Sequence, residues 1–233
     1  MIDVHSHVLP GMDDGSKNTD ESLAMLHLLK KQGVSQVVAT PHFYGKQNDP
    51  ESFLRRREAS WERLKRRLDG DCPDICPGAE VYYFEGIART DEVRKLCIQG
   101  TNVLLLEMPF SSWSMRMVEE VLRLRETMEL TVVIAHVERY LFSQRRDIRD
   151  AFLDSPLLLQ VNAGYFLDWK TRRRALRQLK EGIVHLIGSD CHGIEHRPPR
   201  MDEAAEKIRK HLGEETLREL ERRSAMLLDG AAW

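Results

Sequence analysis

No stretch of these 233 residues approaches the roughly 18 consecutive apolar side chains that a membrane-crossing helix requires. The opening Met1-Ile2-Asp3-Val4-His5 lacks the basic start and apolar core of a secretory signal. Cysteine is scarce. The four present, Cys72, Cys76, Cys97 and Cys191, are too few for a disulfide framework in a chain this long. Cys72 and Cys76 have no second thiol pair to complete a zinc site and read as reduced structural thiols. None of the four is expected to serve as the nucleophile of a Cys-x5-Arg phosphate loop. An excess of one charge is missing too: 35 Lys and Arg face 37 Asp and Glu, a net charge of -2. No global field therefore argues for nucleic acid or for an anionic membrane. No linker, low-complexity tract or internal repeat divides the chain, which reads as one cytoplasmic domain over residues 1–233.

Apolar runs and helical periodicity alternate from start to end. The strands are expected near Ile2–Val4, Val34–Thr40, Asp74–Tyr83, Asn102–Glu107, Thr131–Ala135, Leu157–Val161 and Val184–Gly188. Asn18 with Glu21 resembles a capping box that opens a helix stopped by Gly33. Asp49-Pro50 opens another, striped by Leu54, Trp61, Leu64 and Leu68. Further helices are expected over Met115–Met128, Trp169–Lys180, Met201–His211 and Glu214–Leu227. Alternating βα units predict a parallel sheet.

Metal-ligand residue types stand at five of these runs, and Glu107 adds a candidate at a sixth. Asp3-Val4-His5-Ser6-His7 carries His-x-His, and a strand puts both imidazoles on one face because its side chains repeat every two residues. Asp190-Cys191-His192 repeats that geometry with a carboxylate and an imidazole. His42 follows Thr40-Pro41, Glu80 follows Gly78-Ala79, and His136 follows Val132-Val133-Ile134-Ala135. Glu107 ends Val103-Leu104-Leu105-Leu106, where a structural ion pair is the competing reading. In the Pro/Gly-rich loop after His7, Asp13 and Asp14 suit an Asx turn; of the two, Asp14 is preferred as a ligand. Imidazole and carboxylate without thiolate suit a borderline or moderately hard divalent metal that activates water. Ligands from several strand ends favour a barrel, which collects its site at one carboxyl face, over an open sheet. Seven strands make that barrel incomplete or distorted.

Arg139 and Arg197 lie three and five residues beyond His136 and His192, on loops at the same face. A guanidinium fork there can hold a phosphate bidentately. Arg55–Arg57, Arg149, Arg172–Arg174 and Arg177 read as solvated helix faces. His27, His185, His196 and His211 read as unconnected with the site.

Assembled, these segments resemble the polymerase-and-histidinol-phosphatase superfamily of metal-dependent phosphoesterases. A closer likeness is to the bacterial manganese-dependent protein tyrosine phosphatases of capsule and exopolysaccharide operons. It rests on Met1-Ile2-Asp3-Val4-His5-Ser6-His7, Pro10-Gly11-x-Asp13-Asp14-Gly15-Ser16, Gly78-Ala79-Glu80-Val81-Tyr82-Tyr83, Ala135-His136-Val137-Glu138-Arg139-Tyr140, and Asp190-x-His192 followed by Arg197-Pro198-Pro199. The C-terminal Ser224–Trp233 departs from the pattern.

The resemblance implies a distorted (β/α)7 barrel with up to three metals, manganese first, with iron or zinc as alternatives. One ion would take His5, His7, Glu80 and Asp190; a second Glu80, Glu107 and His136; a third His42, His192 and Asp14. It implies hydrolysis of a phosphomonoester by a metal-activated water, with Arg139 and Arg197 on the phosphate. The substrate would be the phosphotyrosine tail of a bacterial tyrosine kinase that controls polysaccharide synthesis. No nucleic acid or membrane insertion is implied, and homo-oligomerisation stays open. A small-molecule phosphatase, such as one for histidinol phosphate, is the alternative. A proofreading module is disfavoured because no polymerase region accompanies it. Aromatic residues Phe43, Tyr44, Tyr165 and Phe166 are expected to rim the cleft and favour a peptide.

Overall fold

The computed structural model describes residues 1–230, so the last three residues of the Ser224–Trp233 segment lie outside the described residues. The chain begins with β1 (Ile2–Ser6), α1 (Thr19–Lys31), β2 (Gln36–Ala39), β3 (His42–Tyr44) and α2 (Pro50–Lys65). It continues through β4 (Asp74–Pro77), β5 (Glu80–Tyr82), β6 (Val103–Glu107), α3 (Met115–Glu126) and β7 (Thr131–Ile134). Then come α4 (Arg146–Leu153), β8 (Leu158–Asn162), a single turn α5 (Gly164–Leu167), α6 (Arg172–Lys180) and β9 (Leu186–Gly188). Helices α7 (Met201–Leu212) and α8 (Glu214–Leu228) follow.

All strand pairings are parallel, as alternating βα units require. One sheet has the order β1-β2-β4 and the other β3-β5-β6-β7-β8-β9. One expected strand, Asp74–Tyr83, is broken, and the expected Val34–Thr40 is followed by a further short strand, β3. Thr40-Pro41 separates β2 from β3, since Pro41 cannot donate to a ladder, and Gly78-Ala79 separates β4 from β5. Backbone bonds carry the pairing across both breaks: Thr40 N–H donates to Ser6 O at 2.8 Å and Glu80 N–H to Pro41 O at 3.0 Å. Beyond β9, Asp190 N–H donates to His5 O at 2.8 Å and His7 N–H to Cys191 O at 3.0 Å. Gly188 makes this approach possible, because a Cβ there would lie 2.5 Å from His5 Cβ.

Side-chain alternation builds the site on top of an apolar plug. On β6, Val103 and Leu105 join a small buried cluster with Val4, Val38, Val133 and Leu158, and Glu107 is next on the same face. On β8 the same face runs Leu158, Gln160, Asn162. The opposite face packs under the helices in a larger core that includes Leu104, Leu106, Leu29, Phe53 and Val121.

The caps follow the sequence. Asn18 accepts from Glu21 N–H at 3.0 Å, and Asp49 from Ser52 N–H at 2.8 Å with Pro50 behind it. Helix α2 buries a different stripe from the expected one: Phe53, Arg57, Ser60 and Leu64 are buried, with Leu54, Trp61 and Leu68 half-buried. Arg57 is therefore no solvated surface residue; it donates to Gly78 O at 3.0 Å, inside the β4–β5 break.

Candidate metal centre

The centre of the site is one carboxylate oxygen. Glu80, fully buried at the start of β5, places Oε2 3.3 Å from His5 Nε2, 3.3 Å from His7 Nε2 and 3.0 Å from His42 Nδ1. None of these is a hydrogen bond, and both Glu80 Oε2 and His42 Nδ1 are buried without a partner. Its other oxygen, Oε1, meets His136 Nε2 at 2.8 Å, and His136 lies 3.5 Å from Glu107 Oε1.

The tautomers of His5 and His7 follow from their outer partners. Gln160 Oε1 already accepts from His136 N–H at 2.8 Å, which identifies it as the carbonyl oxygen, so His5 Nδ1 at 3.1 Å must donate to it. Asp13 Oδ2 accepts from His7 Nδ1 at 2.7 Å and from His42 N–H at 2.8 Å. In the neutral imidazoles, with Nδ1 carrying the proton, both Nε2 atoms are lone pairs, and they face each other at 3.2 Å. Two lone pairs at that distance repel unless a cation lies against both. Donor atoms each about 2.1 Å from one ion would stand about 3.0–3.4 Å apart, which is the spacing seen around Glu80 Oε2.

Asp190 divides its oxygens. Oδ1 lies 3.6 Å from His5 Nε2 and 3.4 Å from His7 Nε2. Oδ2 accepts from Arg139 at 2.6 Å, Arg197 at 2.5 Å and Asn162 Nδ2 at 2.7 Å. His192 donates Nδ1–H to Asp190 O at 3.0 Å, leaving Nε2 3.3 Å from Asp14 Oδ1 and 3.0 Å from Arg197 Nη1.

Three groups of donors thus converge: His7, Asp14, His42 and His192; His5, His7 and Asp190; and His42, Glu80 and Glu107. Asp14, largely exposed, faces the donors, whereas Asp13 holds His7 from behind. A further group, His27, Asp69 and Cys72, stands apart on the surface, so His27 does have partners.

Electrostatics mark the same place. Burial alone would raise the Glu80 carboxyl, but the surrounding imidazoles hold it well below the usual range. Burial and the Glu80 charge together push Glu107 up to about 7. Such carboxylate crowding is relieved by cations. The backbone is strained here as well: His136, Asp190 and Arg197 account for three of the four non-glycine residues with left-handed φ among those described.

Three of the aromatic residues expected at the rim are core. Phe43, Tyr165 and Phe166 are buried, and Tyr44 alone stays at the edge. Phe110 occupies the rim instead, 58% exposed, its ring stacked 6.4 Å from His136 and edge-on to Tyr140.

The sequence does not single out Gln160, Asn162 and Asp13 as supports; the one signal for the first two is a polar pair at i, i+2 at the end of the Leu157–Val161 run. The spacing Cys-x5-Arg does occur once, from Cys191 to Arg197. Cys191 is nevertheless fully buried, with its thiol pushed by burial up to about 12, so it offers no thiolate.

Parallel strands that gather imidazoles and carboxylates at their carboxyl ends define an α/β protein with clusters of donors that could hold metal ions. The chain belongs to the capsular polysaccharide synthesis CpsB/CapC family, whose model matches residues 1–228. Tyrosine-protein phosphatase CpsB of Streptococcus pneumoniae is 29% identical over 232 residues, 94% of each chain. Tyrosine-protein phosphatase YwqE of Bacillus subtilis (strain 168) is 28% identical, covering 92% of this chain and 86% of that one. A crystal structure of YwqE and CpsB, described as unique metal-dependent tyrosine phosphatases, matches with a TM-score of 0.82 at 24% identity, over 100% of this chain and 96% of that one.

Proposed function

We propose that this protein is a divalent-metal-dependent protein tyrosine phosphatase of polysaccharide synthesis, acting in the cytoplasm on the phosphorylated tail of a tyrosine kinase. The observation that carries the metal centre is Glu80 Oε2, buried and unpartnered among three imidazole nitrogens. His5, His7, Glu80 and Asp190 would hold one ion, Glu80, Glu107 and His136 a second, and His42, His192 and Asp14 a third, with manganese foremost. When bound, such ions supply Lewis-acid charge to phosphoryl oxygens and bring the pKa of coordinated water toward neutrality.

The rest falls to the chain itself. Arg139 and Arg197 are anchored on Asp190 Oδ2 while their side chains remain 34% and 42% exposed, so each keeps N–H groups for a phosphoryl oxygen. Phe110 and Tyr44 flank the donors and suit the flat phenyl ring of phosphotyrosine. The phenolate that leaves, with an ordinary pKa of about 10, makes little demand for a general acid. The buried Cys191 excludes a cysteinyl-phosphate route.

The fold reading that accompanies this function is a distorted seven-stranded (β/α) barrel in one domain over residues 1–233. It is supported by merging β2 with β3 and β4 with β5 across their breaks, and by the bonds that join the end of β9 to β1. The test is hydrolysis of a phosphotyrosine peptide by metal-stripped and manganese-loaded protein, with histidinol phosphate in parallel. Turnover that requires the ion and prefers the peptide is expected; full activity without metal would sink the reading.

A further inference from the structure

The near-neutral charge of the whole chain conceals a local excess. Residues 168–181 carry Lys170, Arg172, Arg173, Arg174, Arg177 and Lys180 against only two acids, Asp168 and Glu181. Asp168 is occupied in accepting from Lys170 N–H at 2.9 Å. Of the six cations only Arg177 has an acidic partner among the described residues, Glu181 at 3.9 Å. Helix α6 turns Ala175, Gln178 and Leu179 into the core, so its outward face is left to the basic side chains. Immediately before it stands Trp169, 75% exposed, with Lys170 Nζ 5.5 Å from its ring. An indole held in water beside six cations has no role in the packing of this fold.

Chemistry narrows what such a surface fits. A second copy of the chain would present the same positive charge, so self-association through this face is repelled. The cavity beside α6 is walled by Lys170, Arg173, Arg174 and Arg177 alone, with no apolar pocket to anchor a peptide side chain. A partner that suits it is flat, polyanionic and apolar just behind its charge. That describes a lipid surface: headgroup phosphates meet the cations, and tryptophan prefers the boundary beneath them. The segment also follows the carboxyl end of β8, where Asn162 contacts Asp190, so it borders the same end of the sheet as the metal centre.

We propose that Trp169 to Lys180 form a reversible docking surface for anionic phospholipid. No helix among the described residues is long and apolar enough to cross a membrane. Each cation close to an anionic bilayer adds about fivefold to partitioning at physiological salt, and screening makes the sum salt-sensitive.

The test is sedimentation of the full-length protein with phosphatidylcholine vesicles, with and without phosphatidylglycerol, across a salt series. Binding is expected only with phosphatidylglycerol and should weaken as salt rises. The triple variant R173Q/R174Q/R177Q should lose roughly a hundredfold in partitioning, and Trp169→Ala should lose several-fold with less salt dependence. Neither substitution should alter turnover of a soluble phosphotyrosine peptide, which shows that both variants fold. Equal binding to neutral and anionic vesicles, or a triple variant that partitions like the parent, would overturn the proposal. Capture of polyglutamate without vesicle binding would overturn it in favour of an acidic polypeptide. The vesicle outcomes do not depend on the phosphatase reading; only the folding control uses it, and thermal unfolding of both variants replaces that control if the peptide is not turned over.

Discussion

Gln160 carries no charge and is no metal ligand, yet its one carbonyl oxygen accepts from both His5 and the backbone of His136. Its amide nitrogen donates to Asn162 Oδ1 at 3.1 Å, and Asn162 in turn holds Asp190. One side chain thus sets the tautomer of His5 and, through Asn162, the aim of Asp190. Gln160→Leu should weaken divalent-ion binding about 10- to 100-fold, the usual cost of losing such a support. Gln160→Glu keeps the acceptor and should recover part of it; titration against a chelating dye reads both. Equal affinity in Gln160→Leu and parent would remove Gln160 from this role. The arginines make the opposite case. Arg139→Ala and Arg197→Ala should keep the metals but lose about 2–4 kcal/mol of transition-state binding, roughly 30- to 1000-fold in kcat/KM. Arg→Lys should recover only part, because a point charge cannot reproduce the fork. Unchanged kinetics in both Ala variants would make them bystanders.

At the scale of elements, β8 and β9 show what a strand end can hide. His185, just before β9, accepts from Leu159 N–H through Nδ1 at 3.0 Å. Burial, with the Arg223 charge behind it, pushes its imidazole down from 6.5 to about 4. The unfolded chain therefore binds more protons than the folded one between these values. The contribution of neutral His185 is complete above about pH 6.5 and is lost as pH falls toward about 4. His185→Gln removes the titration, so its Tm should fall less steeply than the parent's across that window; parallel profiles would exclude the linkage. His185 was legible only as a strand start, because the ladder it caps belongs to a distant segment. The strands themselves were readable as apolar runs, but their interruptions at Pro41 and Gly78-Ala79 depend on how neighbours pair. Helix α4 went unread because Arg-Asp-Ile-Arg-Asp-Ala-Phe-Leu buries only Ile148 and Phe152. The ligand types were legible because acids and imidazoles at strand ends are costly without a purpose. Neutral supports such as Gln160 and Asn162 carry no such mark, and Arg57 and Phe43 were misjudged because burial is a property of the packed whole.

The whole molecule gathers donors from β1, β3, β5, β6 and the segments after β7 and β9 into one buried cluster. Without metal ions, Glu80 and Glu107 crowd negative charge: burial and the Glu80 charge push Glu107 up to about 7, and the neighbouring carboxylates, against burial, push the His5 and His7 imidazoles up as well. The unfolded chain has no such crowding and no preformed site, so ions that bind the folded state stabilise it by mass action. At an ion concentration about 100 times the dissociation constant the gain is about 2.7 kcal/mol. A chain of this size shifts by about 2–4 °C per kcal/mol, which places the expected rise in Tm at roughly 5–11 °C on adding manganese to stripped protein. The rise should grow with ion concentration rather than saturate at stoichiometry, since linkage follows the free ion. Glu80→Ala removes the oxygen that three imidazoles share, so the variant should gain little from the ion. His27→Gln, at the separate surface cluster, should respond like the parent. Scanning calorimetry of the three proteins, stripped and then titrated with manganese, decides the matter. A parent whose Tm ignores the ion, or a Glu80→Ala variant that rises as far as the parent, would contradict a metal centre built around Glu80.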